Sequence, residues 1–234
     1  MSPPTQCGMP ILDLNIEGLR SHSILMNTFV LEPDVSTEKR KWRIWLMHCL
    51  VKTARHYTAS RNLVLAQLGE STRSAVELAQ GRQLPLLDFG FEMEDCITSL
   101  EKAVVCIKAL SRGSEISATR TLKLNDEMQA LNALRRQQEH MHTQIAAGQT
   151  GNGPIIVTVT NDNDGIQLRN LTMSFSAIYR LVDALYRDIA TLFPAHDPDS
   201  PAQSGGIPKM SMAVTMEVRH QSADASGAAP KSVD

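Results

Sequence analysis

Two arginines, a glutamate and two histidines fall within LRRQQEHMHTQI, residues 134–145. Histidine titrates near neutrality and can take or give a proton during a reaction. Arginine grips phosphate oxygens with a planar fork of N–H donors. An arginine with His140 or His142 could therefore cleave RNA without a metal. The imidazole would remove the 2′-hydroxyl proton or protonate the leaving oxygen, while the guanidinium held the phosphate charge. The plainer reading is a solvated helix face carrying intrahelical pairs such as Arg135–Glu139 or Arg136–His140.

On a helix, residues advance by about 100° each. Arg135 and His142, seven apart, then fall within about 20° of each other, on one border of the apolar side. Arg136 and His140, four apart, lie about 40° from each other and point away from it. Glu139 and Thr143 sit between the two sets. Spacing alone does not choose between these pairings. It does disfavour a metal, because His140 and His142 lie on nearly opposite sides and no Cys or further His follows at ligand spacing. GQTGNGP, residues 148–154, lacks the Gly-Lys-Ser/Thr of a phosphate loop and reads as a turn. No metal and no cofactor is expected.

The elements that would position these residues are mostly helical. Ser36 suits a helix N-cap, with Glu38 behind it. Residues 37–68 contain no Gly or Pro, and Trp42, Trp45, Leu46, Cys49, Leu50, Thr53 and Tyr57 recur at helical spacing up to Gly69. A shorter helix follows over 71–80. Met93, Ile97, Leu100, Val104, Ile107 and Leu110 mark a third over about 86–111, ending at Gly113. A fourth spans 124–147, with Met128, Leu131, Leu134, Met141 and Ile145 on one side and Gly148 as its stop. The period then changes: PIIVTVT, NDNDG and IQLRNLT read as a β-hairpin over about 154–172, with Asp164-Gly165 in the turn. Ser174 or Ser176 caps a final helix whose apolar face runs from Ile178 to Leu192.

The fold expected is mainly α: an antiparallel bundle of about four long helices, with a small hairpin before a closing helix. Residues 1–35 form an N-terminal arm, 36–193 the helical domain, and 194–234 a mostly disordered tail rich in Pro, Ser, Gly and Ala. Alternation of Met210, Met212, Val214, Met216 and Val218 could add a strand there over 210–218. Aromatics are only 4% of the chain, so the core should be aliphatic. A net charge of −2 supplies no global field for nucleic acid, and any such contact must be local. Four cysteines without a CxxC pair suit reduced thiols, and with no signal peptide or spanning segment the chain reads as cytoplasmic, away from the membrane.

At LRRQQEHMHTQI the sequence resembles the HEPN superfamily (higher eukaryotes and prokaryotes nucleotide-binding domains), in which many helical bundles carry Arg-x4–6-His. Leu134, Arg135, Glu139, His140 and Ile145 match that family's pattern in register, and the order of helices, hairpin and closing helix is similar over about 37–193. Two positions depart: Arg136 stands where Asn, Asp or His is usual, and His142 where an acid is usual. The resemblance implies a metal-independent endoribonuclease of toxin or defence type. In it Arg135 would bind the scissile phosphate, His140 would do the acid–base work with His142 as substitute, and Glu139 would orient the pair. It also implies a homodimer, with RNA and an antitoxin or regulatory protein as partners. The other reading is a catalytically inactive bundle that binds RNA, a nucleotide or a protein partner. Elsewhere, Glu92, Glu94 and Asp95 read as a favourable helix-start charge cluster. STEKRKWR, residues 36–43, reads as a solvated first turn that could contact RNA. His48 and His56 receive no role.

Overall fold

A computed structural model describes residues 7–30, 35–71, 73–79, 81, 85–113, 116 and 119–202. The helices are α1 (Ile16–Ile24), α2 (Thr37–Ser71), α3 (Ala75–Ala79), α4 (Leu86–Arg112), α5 (Thr119–Leu122), α6 (Asn125–Glu139), α7 (Met141–Ala146) and α8 (Phe175–Ala190). Strands β1 (Thr158–Val159), β2 (Gly165–Leu168) and β3 (Leu171–Ser174) form one antiparallel sheet in that order. The fold is mainly helical, as expected, and the sheet precedes the closing helix.

Helices α2 and α4 are the backbone of the bundle. His56 meets Glu92 and Lys52 meets Asp95, so one helix ascends as the other descends. Their buried faces are Leu46, Leu50 and Tyr57 against Met93, Ile97, Leu100 and Ile107, all at most 1% exposed. Area removed from water at about 25 cal/mol per Å² makes this aliphatic seam the main stabilising contribution. Helix α6 lies on the other side of α4 and runs antiparallel to it, with Arg135 beside Glu101 and Gln138 beside Glu94. Helix α8 closes the core through Ile178, Leu181, Leu185 and Ile189, each fully buried. Ser174 provides its N-cap, accepting from the Ala177 N–H at 3.2 Å.

Several local expectations change. Helix α2 runs past Gly69 to Ser71, and the short helix expected over 71–80 contracts to α3. Trp45 is 47% exposed although it matches the helical period. The hairpin is a three-stranded sheet, because IQLRNLT folds back on itself. Leu168 pairs with Leu171, and Arg169 between them adopts φ +54°. Gly165 lies at the start of β2, where a Cβ would come within 2.5 Å of the Met173 carbonyl oxygen. Arg169 also anchors the 148–154 turn by donating from Nε to the Thr150 carbonyl at 2.8 Å.

Residues 7–30 of the N-terminal arm pack on the helical body. Met9 is buried, and its carbonyl accepts from Arg61 Nε at 3.0 Å. Asn15 caps α1 by accepting from the Gly18 N–H at 3.0 Å, and its amide donates to Ser200 Oγ at 2.8 Å. Residues 194–200 thus return to α1 and α8, and Phe193 and His196 are buried there. The strand expected over 210–218 lies outside the described residues. No helix among the described residues is long and apolar enough to cross a membrane. Cys49, Cys96 and Cys106 are buried free thiols, and burial pushes Cys96 up to about 12, which leaves it inert at neutral pH.

The returning segment has a pH signature. The Tyr186 hydroxyl meets His196 Nε2 at 2.9 Å, and burial pushes Tyr186 up to about 12. His196 is held below its usual value by burial first and by neighbouring His22 second. Its folded pKa therefore lies below the unfolded one, near 6.5, and the unfolded chain binds the extra proton. The stabilisation is complete above about pH 6.5 and is lost as pH falls through the folded pKa. Melting temperatures from pH 7.5 to 5 should fall more steeply for the wild type than for His196→Gln; parallel curves would contradict this.

Candidate active site

The stretch 134–145 does not fold as one helix. Met128, Leu131 and Leu134 bury the core side of α6, but the next six residues, Arg135 to His140, are all polar. The helix ends at Glu139, although Arg, Gln and Glu favour helix. His140 takes φ −96° and ψ 5°, serving as C-cap of α6 and N-cap of α7. Met141 returns to pack against the core, while Ile145 is 51% exposed. Gln144 fixes α7 in place by accepting from both Gln137 and Arg169.

The break alters the geometry read from an ideal helix. Backbone hydrogen bonds still cross the irregularity, from the His140 N–H to the Arg136 carbonyl and from the Gln144 N–H to the His140 carbonyl, but no bond joins Arg135 to His142 among the described residues. What the fold brings together is Arg135, Glu139 and Glu101. Arg135 Nη2 lies 2.6 Å from Glu139 Oε1, and Nη1 lies 3.4 Å from Glu101 Oε2. The intrahelical Arg135–Glu139 pair of the plainer reading is therefore present. Arg135 Nε is buried without a partner among the described residues.

His140 and His142 are both exposed. Among the described residues the His140 ring makes no hydrogen bond, and His142 Nε2 meets only the neighbouring Thr143 hydroxyl, at 3.2 Å. Neither imidazole is bonded to Arg135 or Glu139. Arg136 is exposed and makes no ion pair among the described residues. Beneath the segment, Gln138 Nε2 donates to Glu94 at 3.1 Å, and the Val157 N–H points to the same carboxylate at 3.5 Å. Burial raises the Glu94 carboxyl above its usual range, against the lowering effect of these two donors. No group of three or more His, Cys, Asp or Glu able to hold a metal occurs among the described residues.

No known family matches this chain, and neither curated proteins nor solved structures match it.

The acidic residues at the start of α4 act separately and not as one helix-start cluster. Glu92 binds His56, Asp95 binds Lys52, and Glu94 faces α6. Sequence reasoning passed over His56, which is the imidazole that a carboxylate does orient, at 2.6 Å from Nδ1 to Glu92 Oε2. A signal was available: His48, Lys52 and His56 recur every four residues and so share one face of α2. It could be weighed only once α4 was known to present Glu92 and Asp95 to that face.

Proposed function

We propose that this chain is a HEPN-like RNA-directed protein, of the kind found in toxin and defence systems, with residues 134–145 as a metal-independent ribonuclease site. The observation that carries this reading is the break at His140. It leaves an unengaged imidazole on the surface at the end of a helix whose last turns hold a guanidinium between two carboxylates. Arginine has five N–H donors, so two carboxylates leave others for a phosphate oxygen. His140 would remove the 2′-hydroxyl proton; the freed oxygen would attack the adjacent phosphorus, and the 5′-oxygen would leave with a proton from solvent water, to which the His140 imidazolium then returns its own. A second copy of the chain would complete the cleft, since one copy leaves the site open to solvent.

The second reading, a catalytically inactive bundle that binds RNA or a protein partner, draws on one observation. Glu101 and Glu139 already neutralise Arg135, and no carboxylate orients His140 or His142. The test is incubation of the purified chain with RNA in EDTA. Cleavage leaving 2′,3′-cyclic phosphate ends is the expected result. Intact RNA would overturn the enzymatic reading and leave the binding one.

A further inference from the structure

We propose that the outer face of α2 carries a second site, which binds the phosphate group of a phosphate ester. A hollow of about 380 Å³ is lined by His48, Lys52, Arg55 and His56 of α2 and by Glu92 of α4, with only Val51 and Ala59 between them. The four basic side chains stand at i, i+4, i+7 and i+8, so helical geometry brings them to one face. The site shares no residue with 134–145 and stands or falls apart from the ribonuclease reading.

Each group has donor capacity left for an anion. Arg55 is the most open: its side chain is 66% exposed, and its ion pair among the described residues, with Glu17, is 3.8 Å long. That is longer than a hydrogen bond, and Glu17 is itself closer to Arg20, at 2.8 Å. Lys52 spends one of its three N–H donors on Asp95, at 2.9 Å. Glu92 takes the Nδ1 side of His56, which fixes the ring and leaves Nε2 without a partner among the described residues, where it donates to an anion once the ring is protonated. Of the lining residues, two are fixed cations and one is a carboxylate, and His56 occupies that carboxylate. Asp95 on Lys52 and Glu17 near Arg55 stand just outside this lining, so the hollow attracts an anion through directed N–H donors rather than through net charge. Converging charged donors make short, strong hydrogen bonds to phosphate oxygens.

The rim identifies the ester. Trp45, exposed though it matches the core period, stacks on His48 with ring centroids 5.2 Å apart and planes at 21°. This provides a π surface next to the cations, on which a base can stack. A neighbouring hollow of about 300 Å³ shares His48 and Arg55 and adds Arg20, leaving room for the rest of the ligand. The ligand is therefore a phosphate ester bearing a base, either a free nucleotide or a segment of RNA.

Calorimetric titration of the full chain with inorganic phosphate, AMP and a short oligoribonucleotide, at constant ionic strength, tests this. Saturable binding of AMP is expected, weakened about tenfold or more in Arg55→Ala and in His56→Ala. Trp45→Ala should weaken AMP and leave inorganic phosphate unchanged. An oligoribonucleotide bound tighter than AMP and weakened by Arg55→Ala assigns the site to RNA, and AMP bound tighter than the oligoribonucleotide assigns it to a free nucleotide. Absence of saturable binding, equal affinity in the Arg55 and His56 variants, or equal binding of a glutamate-rich peptide would overturn the proposal.

Discussion

His140→Ala is expected to lower RNA cleavage in EDTA by about 10² to 10⁴-fold, the usual contribution of a positioned acid–base group. His142→Ala should retain most of the activity. The two histidines differ in what surrounds them. His140 stands at the break, five residues after Arg135, and its ring is free among the described residues. His142 lies inside α7 with its Nε2 against Thr143. Both are exposed, so both replacements should leave the melting temperature nearly unchanged, and a lost rate reports chemistry rather than unfolding. Arg135→Ala is a poorer probe, because it also releases Glu101, whose side chain is only 14% exposed, without a partner. Initial rates on one labelled RNA, with melting curves for each variant, decide the matter. A reversed pattern would move the proton transfer to His142, and equal rates in both variants would remove the mechanism.

The second large effect is on stability. Asp188 of α8 is 4% exposed, and its Oδ2 accepts both from the Thr121 backbone N–H at 2.9 Å and from the Thr121 hydroxyl at 2.7 Å. Thr121 is fully buried, so water cannot replace a lost partner there. Asp188→Ala orphans two buried donors and removes two charge-assisted bonds, which should cost about 3 kcal/mol. For a chain of this size that is a fall in melting temperature of roughly 6–12 °C. Asp188→Asn keeps an acceptor oxygen in the same place and should lose less than half as much. Chemical denaturation of the three proteins provides the measurement; equal losses in Asn and Ala would show that the charge, and not the two bonds, holds α5 to α8.

The helices were legible because burial imposes a period. Met93 to Leu110 recur every three or four residues, and α4 occupies nearly the range they mark. The same reasoning failed at Trp45 and Ile145, which match the period but remain half exposed among the described residues. It also missed the third strand. A two-residue reversal at Arg169–Asn170 contains neither Gly nor Pro, and the left-handed Arg169 is held there by the turn it anchors.

At the candidate site the sequence by itself determined the residue types, their polarity and their register with Arg-x4-His. It did not mark the break at His140, since Arg, Gln and Glu favour helix and the pattern reads as one helix over 124–147. Tertiary structure decided the rest. Whether Arg135 meets a second carboxylate besides Glu139 depends on Glu101, 34 positions earlier, and whether an imidazole is oriented depends on a carboxylate from another helix. His56 and Glu92 are 36 residues apart and meet only because α2 and α4 pack antiparallel. Hydrogen bonds and ion pairs act over a few ångströms, and in a folded chain those ångströms are set by packing between elements that sequence spacing does not encode.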